Sequence, residues 1–248
     1  GFVGPPEFLS GIDERYQVLS TPGLFEDLAH THRTLQDAEF NEAFLGLGAD
    51  RGLKGLGLFI SGPAVFVSRT PIRSVSDFEG MKIRVLSADP QMEQIRALGA
   101  TPVPMPLSEV LPALQQGALD GVMSCVPVFS ALHFYDAAEY LIDTNHGLVA
   151  SLAAISTDWF DDLPEDLQTA VVEAGRQASQ DVYEFEVKDV EEGNEEWIAN
   201  GGEIIEFSPE ERDKLMAIMR PVGEEVTNDD PEEREMFELL SAAAERTR

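Results

Sequence analysis

The chain contains one cysteine and few basic residues, and each shortage excludes a class of site. Cys125 stands alone among 248 residues, so neither an internal disulfide nor a cysteine metal cluster is available. Lysine and arginine together number 17, against 46 aspartates and glutamates, which gives a net charge of −29. Nucleic acid is therefore excluded as a partner, because phosphate binding needs a basic surface.

Long apolar segments are also missing. No run of about 18 apolar residues occurs, so we expect no direct insertion into a membrane. The opening residues Gly1-Phe2-Val3-Gly4 carry neither the positive start nor the cleavage site of a signal peptide, so we expect any leader to lie outside this sequence. Only four lysines accompany the many acids, as expected for a halophilic or marine protein in which salt screens the repulsion among carboxylates.

Catalytic motifs are absent as well. The sequence contains no H-E-x-x-H, no G-x-S-x-G, no P-loop and no G-x-G-x-x-G. His30 and His32 stand two residues apart and so do not share a helical face. A structural role suits His146 better than a role in catalysis. We therefore do not expect an enzyme.

Hydrophobic patterns and turn residues predict alternating strands and helices, which is typical of an α/β fold. The predicted strands cover residues 54–60, 65–68, 82–86, 101–105, 121–125, 139–144, 148–156 and 203–207. The predicted helices cover residues 25–48, 90–98 after an Asp89 cap, and a segment that Ser108 caps and Gly117 ends. A longer helix from Pro164 to Asn200 would extend roughly 50 Å, enough to join two lobes.

Arg84, at the end of predicted strand 82–86, is the most informative residue of the chain. Its guanidinium offers a planar fork that matches a carboxylate through two parallel hydrogen bonds. Such a charge-assisted contact contributes roughly 1.5–3 kcal/mol. From the residues alone, a surface arginine or an internal salt bridge to one of the many acids stays open as an alternative.

Several segments, in this order and spacing, resemble one family. The block from Asp77 to Gly121 contains Lys82-Ile83-Arg84-Val85 and Pro102-Val103-Pro104-Met105-Pro106-Leu107-Ser108-Glu109-Val110. Thr144-Asn145-His146 and Leu163-Pro164-Glu165-Asp166-Leu167-Gln168 support it. Together they resemble the extracytoplasmic, dicarboxylate-binding-like solute-binding proteins of tripartite ATP-independent periplasmic (TRAP) transporters. The resemblance implies a two-lobed, periplasmic-binding-protein-like α/β fold with a long lobe-spanning helix.

The resemblance also implies a division of the chain. Residues 1–61 and 150–185 are expected in the first lobe, and residues 62–149 and 186–248 in the second lobe with the C-terminal helices. Relatives begin with further strand–helix units before the segment equivalent to Gly1-Phe2-Val3. We therefore expect the first lobe to be incomplete at its N-terminal side.

The resemblance assigns the polar part of a binding pocket. Arg84 matches the arginine that clamps the carboxylate of an organic acid in this family. Ser124 takes the position of a polar residue, often asparagine, that hydrogen-bonds the ligand in many relatives, and Cys125 lies beside it. Both are equally compatible with an ordinary buried strand.

Three further residues are expected to shape an apolar wall. Ala64 takes the position where some relatives carry a second arginine, and Leu107 the position where relatives often carry an aromatic residue. Phe66 is expected to pack on the carbon skeleton of the ligand, with core packing as its alternative. These replacements favour a ligand with one carboxylate and a sizeable apolar part.

The implied function is capture of a small organic anion outside the cytoplasmic membrane, in the periplasm, and its delivery to TRAP permease subunits. A ligand-presenting sensory protein of the same fold is the alternative, which the sequence leaves open. Some relatives hold the ligand through a metal ion, with a carboxylate in the strand after the Thr-Asn-His string. The equivalent residues 147–151 contain no acid, so neither a metal nor another cofactor is expected.

Overall fold

The computed structural model describes residues 1–248 and contains nine strands and ten α-helices. The strands are β1 (Phe2–Gly4), β2 (Leu53–Pro63), β3 (Val65–Ser68), β4 (Lys82–Val85), β5 (Thr101–Pro104), β6 (Gly121–Ser124), β7 (Tyr140–Asp143), β8 (Leu148–Ser156) and β9 (Glu203–Glu206). The helices are α1 (Leu28–Leu35), α2 (Ala38–Leu45), α3 (Asp89–Ala97), α4 (Leu107–Gln115), α5 (Val126–Ala131), α6 (Thr157–Asp161), α7 (Glu165–Ala199), α8 (Pro209–Met219), α9 (Val222–Val226) and α10 (Pro231–Thr247).

Two sheets organise the chain into two lobes. An antiparallel sheet of order β1-β8-β2 belongs to the first lobe. A mixed sheet of order β5-β4-β6-β3-β7-β9 belongs to the second, with β4 parallel to both β5 and β6. Because β4 and β6 are parallel neighbours, their carboxyl ends meet at one edge of the sheet, where ligands bind in open α/β folds.

Each lobe encloses its own core. Two short 3-10 segments, Pro6–Leu9 and Glu14–Ser20, cover the first lobe, and Tyr16 and Leu19 pack there with Leu58 and Leu152 of the sheet. In the second lobe, α3 and α8 cover one face of the mixed sheet, and α4, α5 and the end of α7 cover the other. Alternation along β4 sends Ile83 and Val85 into the α3 side of this core and turns Arg84 to the opposite face.

Three elements run between the lobes. Strands β2 and β8 pair along most of their length, and both reach from the first core to the edge of the second. Helix α7, 35 residues long, packs Tyr183 near the first core and buries Trp197 in the second. The predicted long helix is therefore confirmed, with its caps at Pro164 and Asn200.

A contact between glycines lets α7 lie directly on β2. A Cβ on Gly57 would stand 2.9 Å from the carbonyl oxygen of Gly175, and a Cβ on Gly175 would overlap the carbonyl group of Leu56. Both positions therefore exclude side chains, because the backbones of the helix and the strand touch there. No helix in the protein combines the length and the apolar character that crossing a membrane requires.

Helix α10 corrects the expected division of the chain. Residues 186–248 are expected in the second lobe, yet α10 packs Met236, Leu240 and Ala243 into the first core. The apolar stripe at these positions of α10 fits the face formed by α1, α2 and the Glu14–Ser20 segment. The rest of the lobe division stays a proposal.

Three predicted helix boundaries were also wrong. The segment 25–48 forms two helices, because the Asp37 side chain accepts a hydrogen bond from the Phe40 amide at 3.1 Å and starts α2. Asp89 lies inside the first turn of α3, whose cap residue is Ala88. Ser108 likewise lies inside α4, which Pro106 precedes.

Candidate ligand-binding site

A cavity of about 160 Å³ lies between the two lobes, at the carboxyl ends of β4 and β6. Residues from both lobes form its wall, which is mainly apolar. Its polar lining residues are few, and they are Ser20, Arg84, Gln91, Gln94 and Ser124. A small, largely apolar cavity with a few convergent polar groups has the character of a small-molecule site.

Arg84 is the only ionisable residue on this wall. Its side chain is 3% exposed, and its Nε donates a hydrogen bond to the Met105 carbonyl at 3.0 Å. Met105 follows β5, so the connection from β5 to α4 holds the base of the guanidinium. The two terminal nitrogens carry no hydrogen bond to the protein, and a fork of two donors is what a carboxylate accepts.

The charge of Arg84 is uncompensated within the protein. Burial lowers the pKa of Arg84 to about 10, and no charged neighbour offsets that effect. Arg84 nevertheless remains protonated at neutral pH. Other arginines pair with carboxylates, such as Arg15 with Asp13 at 2.6 Å and Arg246 with Asp37 at 2.7 Å. A buried, unpaired cation in a chain with 46 acidic residues marks a place where an anion is favoured.

Four of the six residues predicted for the site line this cavity together. Ala64 precedes β3, Leu107 opens α4, Ser124 ends β6, and Arg84 stands in β4. Their shared position supports the predicted pocket, and their contacts with a ligand stay a prediction.

Phe66 does not reach the cavity, so its predicted role is corrected. It is 0% exposed and packs edge-on against Phe78, with ring centroids 4.9 Å apart. It also stacks on His146 at 5.0 Å. The reason is the alternation of β3, which turns Phe66 into the core of the second lobe. The core-packing alternative therefore describes Phe66.

Cys125 is also absent from the cavity wall. Cys125 immediately precedes α5 and is fully buried. Its side chain lies against Gly62, where an added Cβ would stand 3.0 Å from the Cβ of Cys125. Burial raises the pKa of the Cys125 thiol to about 12, so the group stays neutral. Successive strand residues face opposite sides of a sheet, and Ser124 takes the side facing the cavity.

Helix α3 adds two polar residues to the cavity wall that the sequence did not reveal. Gln91 and Gln94 project from α3, three residues apart, and both contact Ser20 of the first lobe. Gln91 Nε2 donates to Ser20 Oγ at 3.2 Å, and Gln94 Nε2 donates to the Ser20 carbonyl at 2.6 Å. The amide of Leu86 donates to Gln91 Oε1 at 2.8 Å, which ties this network to the end of β4. The i, i+3 spacing of the glutamines, just after the Arg84 strand, was the available signal.

Phe8 stands at the mouth of the cavity and is 60% exposed. Its position in a 3-10 segment has no periodic pattern, so sequence reasoning missed it. No cluster of three or more histidine, cysteine, aspartate or glutamate side chains is arranged to hold a metal ion. His146 is buried beside the site, and burial lowers its pKa to about 3, so it is neutral and hydrogen-bonded to Thr144 Oγ1 at 2.8 Å.

A cavity between two α/β lobes, with one buried cation on its wall, is the arrangement expected of a solute-binding protein for an anion. The model of the family described as "Bacterial extracellular solute-binding protein, family 7" matches residues 3–230, and the chain belongs to that family. The family resemblance found in the sequence is thereby confirmed.

Individual relatives agree with this assignment. The C4-dicarboxylate-binding periplasmic protein DctP of Vibrio cholerae is 26% identical over 217 residues, which cover 87% of this chain and 65% of that protein. The periplasmic ectoine-binding protein of the TeaABC TRAP transporter of Halomonas elongata superposes with a TM-score of 0.92 at 25% identity, over 98% of this chain and 81% of that one. A TRAP periplasmic solute-binding protein of Shewanella oneidensis with bound succinate superposes with a TM-score of 0.88 at 26% identity, over 98% of this chain and 79% of that one.

These superpositions confirm the predicted two-lobed α/β fold with its long helix. The chain spans 62% to 65% of the length of three curated relatives that it matches.

Proposed function

We propose that this protein binds a small organic anion outside the cytoplasmic membrane and delivers it to a TRAP-type permease. The observation that carries the proposal is Arg84, a buried cation with two free donor nitrogens on the wall of an apolar cavity. A carboxylate placed there accepts both donors and neutralises the charge. The apolar lining from Ala64, Leu107 and Met123 suits the carbon skeleton of the acid.

Binding is coupled to lobe closure in this proposal. Pro5 and Ser20 reach the cavity from the first lobe, and Arg84 and Leu107 reach it from the second. A ligand that touches both walls binds the closed arrangement better than the open one. The ligand therefore shifts the equilibrium between the two arrangements toward closure.

The names of relatives support an organic acid as the ligand and a permease as the partner. The Vibrio cholerae relative is named for C4-dicarboxylates, and the Shewanella oneidensis structure contains succinate. The Halomonas elongata protein is named as part of a TRAP transporter. Delivery to a permease is therefore favoured over presentation to a sensor.

A thermal-shift screen in high salt tests the proposal. The panel contains oxo acids, hydroxy acids, dicarboxylates, sugar acids and aromatic acids, each with its carboxamide as a matched uncharged control. A ligand at 100 times its Kd should stabilise the protein by about 2.7 kcal/mol, which appears as a clear rise in melting temperature. We expect acids, and not their amides, to raise it. A cooperative melt that no acid shifts would contradict the proposal.

A further inference from the structure

Glu7 is a buried carboxyl group at the cleft that the proposed function leaves unused. It lies in the 3-10 segment Pro6–Leu9 of the first lobe and is 6% exposed. The cavity continues outward into a groove of about 640 Å³, and Glu7 and Arg84 both border that groove. They are the only ionisable residues on its wall.

One oxygen of Glu7 lacks a partner. Oε1 accepts a hydrogen bond from the Ser20 hydroxyl, whereas Oε2 is buried and receives no hydrogen bond. Burial raises the pKa of Glu7 to about 7, against the opposing effect of hydrogen bonds from Ser20 and from its own backbone. An unsatisfied buried acceptor costs about 1–3 kcal/mol, so a donor placed against Oε2 would recover that free energy.

A second free acceptor lies at the same end of the cavity. Gln94 uses its amide nitrogen on the Ser20 carbonyl, which leaves its amide oxygen without a hydrogen-bond partner. Gln91 is satisfied at both ends of its amide, by Ser20 and by Leu86. The Ser20 end of the site therefore offers acceptors, while the Arg84 end offers donors.

We propose that the ligand carries, besides the carboxylate held by Arg84, a hydroxyl or ammonium group that donates a hydrogen bond to Glu7. This inference rests on the proposed function and specifies its ligand class. A site with a buried polar group for a substrate donor strongly disfavours the analogue that lacks the donor, because the protein group is then left unpaired. Glu7 is thus a specificity-determining residue.

The test uses matched acids on one carbon skeleton. Propionate, isovalerate and 3-phenylpropionate are each compared with their 2-hydroxy and 2-amino derivatives by isothermal titration. The wild type should bind a hydroxy or amino acid at least about 10-fold more tightly than the plain acid. Glu7→Leu, which keeps an equal bulk without an acceptor, should remove that preference and leave the affinity for the plain acid within about twofold.

A pH profile separates a ligand contact from a purely structural role. The ionised form of Glu7 accepts the hydrogen bond, so the preference for the hydroxy or amino acid should rise between pH 6 and pH 8 in the wild type. Glu7→Gln should show no such rise. The elements packed on Pro6–Leu9 are β8 and the segment Glu14–Ser20, whose ionisable side chains are Glu14, Arg15 and Tyr16. None of these three contributes to the raised pKa of Glu7.

The outcomes distinguish the two proposals. Glu184→Gln, which alters an exposed glutamate of α7, serves as the control and should behave like the wild type. The inference is overturned if plain acids bind as well as their derivatives, or if Glu7→Leu weakens the binding of plain, 2-hydroxy and 2-amino acids equally. Binding of a carboxylate by Arg84 would stand in either case. If neither the plain acids nor their derivatives bind the wild type, the proposed function fails and this inference fails with it.

Discussion

The two walls of the cavity are built and charged in different ways. The second-lobe wall consists of the regular ends of β4 and β6 and the start of α4, and it carries the cation Arg84. The first-lobe wall comes from the 3-10 segments Pro6–Leu9 and Glu14–Ser20, where Glu7 Oε2 is an acceptor without a hydrogen-bond partner. A sheet edge thus positions the charged contact, while short irregular segments position the contacts proposed to select among acids.

The difference also determines what a ligand must supply on each side. On the second-lobe wall, an anion compensates a buried positive charge, which is a large electrostatic effect. On the first-lobe wall, a donor satisfies an unpaired oxygen, which is a smaller effect. Substitutions at the two walls should therefore differ in their effects on ligand affinity.

Arg84→Ala should produce the largest loss. The variant removes both free donors and the charge, so acid affinity should fall by two orders of magnitude, about 3 kcal/mol, or more. The fold should persist, because Arg84 makes one hydrogen bond and no salt bridge. Titration calorimetry measures the affinity, and Arg176→Ala, an exposed and unpaired arginine of α7, is the matched control. If Arg84→Ala bound the acid as tightly as the wild type, the second-lobe wall would not provide the charged contact with the ligand.

Glu7 should make stability depend on pH. Its pKa is raised from 4.5 to about 7, so between these values the folded protein binds more protons than the unfolded chain. The free energy of unfolding of the wild type, relative to Glu7→Gln, should therefore fall as pH rises through this window, by roughly 3 kcal/mol at most. Urea unfolding of both proteins at pH 5 and pH 8 measures this difference. The contribution of His146 to the pH dependence is the same in both proteins and cancels in the comparison. A difference in unfolding free energy that stays constant with pH would show that Glu7 is not buried as described.

Ala64→Leu should reduce the space available to a ligand at the second-lobe wall of the cavity. Ala64 is buried and lines a cavity of about 160 Å³, so three added carbons take space from the ligand. Affinity for an acid with a branched or aromatic skeleton should fall on the order of 10-fold, while a two- or three-carbon acid should lose less. Competition titrations with short and long acids measure the ratio, and Ala170→Leu on exposed α7 is the control. An equal loss for short and long acids would argue against a steric role.

Phe66→Leu should have the smallest effect on affinity. Phe66 packs on Phe78 and His146 away from the cavity, so the change should lower the free energy of unfolding by roughly 1–2 kcal/mol. Ligand affinity, measured on the folded variant by calorimetry, should change by less than about twofold. A tenfold loss of affinity without loss of stability would show that Phe66 takes part in ligand binding.

The regular parts of the molecule could be predicted from the sequence. Helix α7 was visible through its Pro164 start and its glycine stop, and Arg84 stood out because a strand ends beside it. Ala64, Leu107 and Ser124 could be assigned because the segments around them resemble the solute-binding family. The helix and strand positions themselves depend on local periodicity and capping, which a single chain displays.

Contacts between segments that are far apart in the chain could not be predicted in the same way. Glu7 and Ser20 lie in 3-10 segments without a periodic pattern, and the α3 partners of Ser20, Gln91 and Gln94, are about 70 residues away in the chain. Helix α10 packs on α1, some 200 residues earlier. Cys125 and Phe66 were misplaced for another reason, because the facing of a short strand reverses with each residue.

Recognition of a carboxylate by Arg84 is the central step of the proposed binding. One titration compares a bound acid with its neutral carboxamide, on the wild type and on Arg84→Ala. We expect the wild type to bind the acid at least about 100-fold more tightly than the amide, and Arg84→Ala to bind both weakly and alike. Equal binding of acid and amide by the wild type, or an acid preference that survives in Arg84→Ala, would contradict that expectation.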